Sequence, residues 1–250
     1  MVKNIQGTNI KVYIEDKKFK LPEEIQAKIN DFWEKAVVET PGIWNGELMC
    51  VEKCVKQGND LVITCNKTNY SHYLYDERIV LPKEYACSSL VAGCLLETRD
   101  NYYIVGELAD NTSFPHCMQV SGGSADDDDI KDGKIDIFNT IIRECKEELN
   151  IDLQDQNQVE NYGIKYICLP SDKVHTYILF AKGKLKMTKE QMSKYYEEYL
   201  KYLKENNLEI EFGKIHFIKK GKTTEELEKI KNPKRNYIVD LLEIDSNDEN

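Results

Sequence analysis

Residues 136–151 decide the fold, and they read DIFNTIIRECKEELNI. Apolar residues recur every fourth position in this stretch, which predicts one buried stripe along a helix of about residues 136–149. Glu144, Glu147 and Glu148 fall at positions i, i+3 and i+4, so three carboxylates share one face of a single turn. The segment therefore predicts a helix that places concentrated negative charge beside its buried side.

The acidic face of this helix has two interpretations. Like charges at this spacing destabilise a bare helix by roughly 0.2–0.5 kcal/mol per pair, and a divalent cation would remove that repulsion. Mg²⁺ prefers oxygen ligands and keeps several waters, so two or three carboxylates and a phosphate would suit it. The alternative is a solvated acidic face on which Arg143 pairs with Glu147 at i, i+4.

The last part of the segment, residues 143–151, reads RECKEELNI and resembles the end of the Nudix hydrolase motif, G-x5-E-x7-R-E-U-x-E-E-x-G-U, in which U is aliphatic. The resemblance implies an α+β fold of the α/β/α sandwich type with a mixed sheet. It also implies a pyrophosphohydrolase that depends on Mg²⁺, with Mn²⁺ as the alternative. In that family the residues that match Glu144, Glu147 and Glu148 hold the cations, and the one that matches Arg143 orients the glutamates.

The sequence departs from this pattern in several places. Asn150 replaces the glycine that follows the glutamates, and asparagine is the next-best residue for a left-handed helix cap. Cys145 stands at an aliphatic position, which a buried thiol can also fill. Seven additional residues separate Gly123 from Asp136, and Ile135 occupies the register of the motif's first glutamate. The loop before the helix is therefore expected to differ from the family pattern.

Strand and helix signals divide the chain into two predicted domains. Residues 1–85 are predicted to form a small α+β domain, and residues 86–245 the Nudix-type domain, with an acidic tail at 246–250. The stretched motif and the preceding domain are similar to the UDP-glucose pyrophosphatase branch of the family. That similarity implies cleavage of a nucleoside diphosphate-sugar, such as UDP-glucose, to a nucleoside monophosphate and a sugar 1-phosphate.

Composition limits the partners of the chain. A net charge of −10 and an isoelectric point near 5.1 disfavour nucleic acid as a partner, so a small nucleoside diphosphate compound is expected. No stretch approaches the roughly 20 apolar residues of a membrane span. The first residues do not resemble a secretory signal, so the eight cysteines are expected to be reduced thiols in the cytoplasm. The tyrosine-rich helix at 188–205 either covers the domain or forms a homodimer surface.

Several polar residues have both a functional and a structural interpretation. Glu209 and Glu211 could supply an additional base or metal ligand, or lie on an exposed strand face. His116 and His175 could act as acid or base, or serve structure. The aspartate run at 126–129 could add metal ligands, or be a solvated insertion.

Two further questions remain open in the sequence. Trp44, Tyr70 and Tyr73 could stack on a base or belong to the core. The pattern is also compatible with another Nudix substrate, such as ADP-ribose or a dinucleotide cofactor. A third alternative is a catalytically silent binding module, which the broken first half of the motif would favour.

Overall fold

The computed structural model describes residues 1–125, 127–171 and 175–248. The strands are β1 (Val2–Asn4), β2 (Asn9–Lys18), β3 (Glu47–Gln57), β4 (Asp60–Asn69), β5 (Leu90–Glu97), β6 (Tyr102–Leu108), β7 (Met118–Gln119), β8 (Ser121–Ser124), β9 (Ile130–Lys131), β10 (Lys134–Ile135), β11 (Val159–Cys168), β12 (Tyr177–Leu185) and β13 (Phe212–Lys219). The helices are α1 (Glu23–Glu39), α2 (Tyr70–Ile79), α3 (Ile137–Leu149), α4 (Lys189–Glu205), α5 (Thr223–Lys229) and α6 (Ile238–Asn247). The predicted mixture of α and β structure is confirmed.

The larger sheet has the strand order β1-β11-β12-β5-β6-β13. It is mixed, because β12 and β5 pair in parallel while the other neighbours are antiparallel. The first half of β5 pairs with β8 and its last residue pairs with β6. The glycines of β8 therefore lie in the middle of the sheet, where β5 and β6 diverge.

Helices cover both faces of this sheet. Alternate residues of β5 point to opposite sides, so Cys94 joins one apolar cluster and Leu95 joins the other. Cys145 of α3 packs in the first cluster, and Leu241 and Leu242 of α6 pack in the second. The predicted arrangement of helix, mixed sheet and helix is confirmed by this alternation.

A second sheet has the order β3-β4-β2-β10-β9. Its strands β9 and β10 come from the loop before α3, whereas β1 pairs with β11 in the larger sheet. Ile63 of β4 and Cys94 of β5 belong to the same apolar cluster. Each of the two sheets therefore contains strands from both sides of residue 85. The division of the chain at that residue into two domains stays a prediction.

Local sequence signals account for both ends of α3. Asp136 Oδ1 accepts hydrogen bonds from the backbone N–H groups of Phe138 and Asn139, at 3.1 and 3.2 Å. The helix begins at Ile137, one residue later than predicted, because Asp136 is its cap. Asn150 closes the helix with φ 55° and ψ 27°, which is the predicted left-handed cap.

The boundaries of α4 and β13 follow different signals. Thr188 and Gln191 form the predicted capping box at the start of α4. The prediction that the last strand starts at residue 209 is wrong, since β13 starts at Phe212. Its partner β6 ends at Leu108, opposite Phe212, so the ladder has no strand with which residues 209–211 could pair.

The cysteines and the C-terminus add three observations. All eight cysteines are free and seven of them are buried, as expected for reduced thiols. Within residues 1–125, 127–171 and 175–248, no helix has the length and apolar character that crossing a membrane requires. Helix α6 continues through Asn247, so the predicted acidic tail begins inside a helix, and residues 249–250 lie outside the described part.

A buried charge network fastens α6 to the larger sheet. Asp245 is fully buried, and its Oδ2 atom lies 2.7 Å from Lys182 Nζ, which also contacts Glu97 at 2.6 Å. The hydroxyl groups of Tyr103 and Tyr166 donate hydrogen bonds to the same carboxylate, at 2.8 and 2.7 Å. Burial raises the pKa of Asp245, but Lys182 and the two phenols outweigh this effect and hold the pKa well below its usual range.

We expect Asp245→Asn to lower the free energy of unfolding near pH 7 by about 3–5 kcal/mol, because it leaves a buried ammonium without its full charge partner. A depressed carboxyl pKa contributes stability above the unfolded value of about 3.9, and this contribution is lost as the pH falls through the folded pKa. Urea unfolding at about pH 7 and pH 3 measures both effects. Asp240→Asn, at an exposed position of α6, is the control. An equal loss at both pH values would contradict the role given to the Asp245 charge.

Candidate active site

The carboxylates of α3 approach the sheet at the two glycines of β8. Glu148 Oε2 accepts a hydrogen bond from the backbone N–H of Gly122 at 2.8 Å. A Cβ atom on Gly123 would lie 2.5 Å from Glu144 Oε1, and one on Gly122 would lie 2.4 Å from the carbonyl oxygen of Ala92. Gly122 also has a φ of 152°, a conformation that other residues rarely adopt. A side chain at Gly123 would push against the acidic helix, and one at Gly122 would clash with the backbone of β5.

Arg143 connects the acidic helix to the loop before it. Its Nη1 atom donates to Glu144 Oε1 at 2.8 Å and to Glu147 Oε2 at 3.3 Å. Its Nη2 atom donates to the backbone carbonyl of Ser124 at 3.1 Å and to Asp129 Oδ2 at 3.2 Å. The guanidinium therefore holds two of the three helix glutamates and is itself fixed from the opposite side.

Asp129 is the site residue that the sequence did not single out from the aspartate run. It is fully buried and accepts hydrogen bonds from Asn139 Nδ2 at 2.6 Å and Thr140 Oγ1 at 3.0 Å, besides the contact with Arg143. Its neighbour Asp128 is exposed, and residue 126 lies outside the described residues. Charge balance was the signal in the sequence that could have identified Asp129. Because Ile135 stands in the register of the motif's first glutamate, Arg143 needs a carboxylate from another position.

The surroundings of Glu144 suit it to proton transfer near neutral pH. Its residue surface is 8% exposed. Burial raises the pKa of Glu144 to about 7, with Glu211 and Glu147 adding to the effect and Arg143 opposing it. A carboxyl with such a pKa can accept or release a proton near neutrality, as a general base requires.

Glu148 is the most deeply buried of the three glutamates, at 3% exposure. Burial raises its pKa well above the ordinary value, and the charges of Glu211 and Glu144 add to the effect. Its Oε1 atom is buried and has no hydrogen-bond partner among the described residues. An unsatisfied buried carboxylate oxygen costs free energy, so this atom is a candidate ligand for a cation.

Glu211 joins these carboxylates from the loop before β13. The residue is exposed to solvent because it lines a cavity, although protein surrounds it on most sides. Burial raises the pKa of Glu211, and Glu209 and Glu147 add to the effect, while a contact with Glu148 lowers it. Of the two glutamates considered in this segment, Glu211 is the one whose pKa depends on the glutamates of α3.

The carboxylates of this site have the chemistry that binds a hard divalent cation, but their side chains are not arranged around a single point. No group of three His, Cys, Asp or Glu side chains in the described ranges has metal-binding geometry. Arg143 instead bridges Glu144 and Glu147, as the solvated interpretation of the acidic face expected for Glu147. The donor atoms are nevertheless all carboxylate oxygens, one of them buried and unsatisfied, and such donors suit Mg²⁺.

A cavity of about 510 Å³ opens beside these carboxylates. Gly122, Gly123 and Glu211 line it, together with Trp44 and Arg235 from distant parts of the chain. This volume falls within the range of roughly 300–1,000 Å³ that is typical of small-molecule sites. Among the described residues, α3 contributes no lining side chain; it meets the wall of this nucleotide-sized cavity at Gly122 and Gly123.

The two histidines considered above lie outside the lining of this cavity. His116 is exposed, with its ring nitrogens 3.3 Å from Glu107 and 3.1 Å from Asp110. His175 Nδ1 lies 2.9 Å from Asp76, whose carboxylate also accepts hydrogen bonds from backbone N–H groups. Both side chains have structural partners, which favours the structural interpretation.

Comparison with known proteins gives similarity at the level of whole structures. No family model matches the chain, and no curated protein matches it. A structure from Deinococcus radiodurans is similar over 79% of this chain and 98% of its own, with 9% identity and a TM-score of 0.46. A Nudix hydrolase from Nitrosomonas europaea is similar over 62% and 85%, with 9% identity and a TM-score of 0.36. Another from M. smegmatis is similar over 61% and 80%, with 8% identity and a TM-score of 0.38.

Without divalent cations, we expect stability to fall as the pH rises from about 5 to 8. The pKa of Glu144 is about 7 in the folded protein and about 4.3 in an unfolded chain, so the folded state binds more protons in this interval. The loss should be on the order of 2 kcal/mol. Urea unfolding in a chelating buffer measures it, and Glu144→Gln should reduce the dependence, while the raised pKa values of Glu148 and Glu211 maintain the remainder. A profile that is flat in the unsubstituted protein would show that Glu144 ionises normally.

Asp129→Asn should destabilise the protein by about 3–5 kcal/mol, because Arg143 Nη2 loses the buried carboxylate that balances it on the side away from Glu144. The exposed neighbour offers a matched control, and Asp128→Asn should change stability by less than about 0.5 kcal/mol. Thermal and urea unfolding of both variants provide the comparison. Equal effects of the two substitutions would mean that Asp129 does not anchor Arg143.

Proposed function

We propose that the protein is a Mg²⁺-dependent Nudix-type pyrophosphohydrolase, and that it cleaves nucleoside diphosphate-sugars such as UDP-glucose. The supporting observation is the convergence of Glu144, Glu148 and Glu211 beside the β8 glycines at the edge of a nucleotide-sized cavity. Glu144 and Glu148 are buried, mutually repelling carboxylates with Glu211 beside them, and such a cluster is costly in a fold unless it serves a site. The choice of substrate within the nucleoside diphosphate class rests on the sequence resemblance.

Glu144, Glu147 and Glu148 are the residues that would hold the cation. When bound, Mg²⁺ would neutralise the charge of the diphosphate oxygens and hold them in line for attack. Arg143 fixes the Glu144 and Glu147 side chains from one side. The β8 glycines let the acidic helix and β5 pack closely against β8, and both glycines line the cavity, where a diphosphate could approach the backbone.

Glu144 is the proposed general base. Its carboxylate lies beside Gly123 at the wall of the cavity, and it would take a proton from the attacking water. The oxygen of that water bonds to one phosphorus, and the bond from this phosphorus to the bridging oxygen breaks. The bridging oxygen leaves on the other phosphate, and the products are a nucleoside monophosphate and a sugar 1-phosphate. Glu211 is the alternative base, since it lines the same cavity.

A nucleotide-binding module without hydrolytic activity is the second candidate. It is favoured by the Arg143 bridge between Glu144 and Glu147, which occupies both carboxylates with a side chain. It is also favoured by Ile135 in place of the motif's first glutamate. In either case we propose a reducing, cytoplasmic setting, which the eight free cysteines support.

Glu147→Gln should lower turnover of UDP-glucose by at least about 100-fold while leaving stability nearly unchanged, because Glu147 is exposed and its carboxylate makes a long contact with Arg143, at 3.3 Å. Mass spectrometry of the products, with and without Mg²⁺, measures this. UMP and glucose 1-phosphate should appear only with Mg²⁺ and intact Glu147. Glu160→Gln, at an exposed position of β11, is the control.

Two results would overturn the proposal in different ways. Products that form equally well without Mg²⁺, or with Glu147→Gln, would remove the role given to the helix glutamates. The absence of products from a panel of nucleoside diphosphate compounds would remove the hydrolase and leave the binding module.

A further inference from the structure

One side of the cavity is built from rings that come from three separate parts of the chain. Trp44 lies in the segment between α1 and β3, and Tyr70 is the first residue of α2. Phe114 lies in the loop between β6 and β7, and Arg235 lies just before α6. These four residues are the aromatic lobe of the cavity. The lobe lines the same cavity as Glu211, so a single ligand could reach both.

Trp44 keeps one face of its ring available. Its indole folds over Gly46, where a Cβ atom would lie only 2.7 Å from Trp44 Cζ3. The residue is 80% exposed even though it lines the cavity. An indole that is supported on one side and open on the other can stack on a planar ligand ring with little loss of side-chain entropy.

Tyr70 and Phe114 are held in place around this opening. The Tyr70 hydroxyl donates a hydrogen bond to Ser113 Oγ at 2.8 Å. The Tyr70 ring also meets Trp33 edge to face, with centroids 6.1 Å apart and planes at 85°. The residue after Ser113 is Phe114, whose ring is covered by Arg235. The rings of the lobe are therefore preorganised, and binding would not have to order them.

Arg235 supplies positive charge at the lobe. Its guanidinium carbon lies 4.1 Å from the centroid of the Phe114 ring, and its Nε atom donates to Gln119 Oε1 at 3.3 Å. Nη1 lies 3.7 Å from Glu77 Oε1, which balances the charge only in part. In a chain with a net charge of −10, a cation that lines an acidic cavity is suited to attract a phosphate.

We propose that the aromatic lobe binds the base of a nucleotide, with Trp44 stacking on the base and Arg235 contacting a phosphate. This inference rests on the proposed function, since it assigns the nucleoside end of the substrate of that site. The diphosphate then extends toward Gly122, Gly123 and Glu211. Two of the rings that would meet the base, Trp44 and Tyr70, lie in the N-terminal segment, outside the part of the chain that carries the acidic helix.

Two other rings line the cavity, but each packs on another ring: Tyr73 meets Tyr70 with centroids 5.6 Å apart, and Tyr237 meets Phe180 with centroids 4.9 Å apart. Val91 of β5 and Ile178 of β12 are aliphatic and offer no ring for stacking. Stacking of a base on an aromatic side chain contributes about 1–3 kcal/mol, whereas an aliphatic contact has no preferred plane. Because stacking favours the aromatic lobe, the base is placed there and the phosphates extend toward Gly122, Gly123 and Glu211.

Calorimetric titration with UMP, AMP and ribose 5-phosphate tests the proposal. None of these ligands contains a diphosphate, so binding is measured without hydrolysis. UMP or AMP should bind more tightly than ribose 5-phosphate, and Trp44→Ala should weaken nucleotide binding by about 5- to 150-fold. Trp44→Ala should leave ribose 5-phosphate binding unchanged, because that ligand has no base to stack.

Two further variants separate stacking from general damage. Gly46→Ala should also weaken nucleotide binding, because the added methyl group displaces the indole without removing it. Trp33→Phe removes the other tryptophan and should leave the affinity within about twofold, since Phe can keep the edge-to-face contact with Tyr70. In the unsubstituted protein and in Trp33→Phe, UMP should quench the fluorescence of Trp44.

The results distinguish this inference from the proposed function. Equal affinity for UMP and ribose 5-phosphate, or unchanged UMP affinity in Trp44→Ala, would overturn the base site even if the protein hydrolyses UDP-glucose. Nucleotide binding that depends on Trp44, in a protein that forms no products, would support the base site while the hydrolase proposal fails.

Discussion

The site depends on how a folded chain keeps several carboxylates close together and out of water. Glu144 and Glu148 are both buried against the sheet, where their charges repel each other and lose hydration. The guanidinium of Arg143 compensates part of this unfavourable energy, and it acts only because Asp129 and a backbone carbonyl hold its far side. The part of this unfavourable energy that is not compensated appears as the raised pKa values of Glu144 and Glu148. It also appears as the buried Glu148 Oε1 atom, which has no hydrogen-bond partner among the described residues. The position of the acidic helix, the glycines that it faces and the loop that precedes it all follow from this balance.

The sequence predicted the parts of this arrangement that are local. The stripe of apolar residues and the left-handed Asn150 depend on neighbours within one or two helical turns, so periodicity and cap preferences sufficed, whereas Asp136 was placed inside the helix and is its cap. The start of β13 was misplaced because alternation in residues 209–211 indicates a strand only where a partner strand exists. Asp129 was not singled out for a related reason. Its burial depends on where an inserted loop returns to the helix, and no local pattern encodes that return.

The cavity shows the same limit on a larger scale. Trp44, Phe114 and Arg235 are separated by long stretches of chain, and each has an ordinary local context. The sequence left the aromatic residues of the N-terminal segment open between core and ligand, because the choice depends on which other elements pack beside them. Tyr70 takes an intermediate position, since it packs on Trp33 and also lines the cavity.

Because β10 pairs with β2, the N-terminal segment and the part of the chain that carries α3 are not structurally independent. Lys134 in the inserted loop lies opposite Tyr13 in the N-terminal sheet, only a few residues after the aspartate that anchors Arg143. Any evolutionary replacement of the N-terminal segment would therefore also have to match the loop at residues 127–135. A chimera that exchanged the segment alone would leave β10 without its partner strand β2. The insertion and the segment are expected to be inherited as one unit.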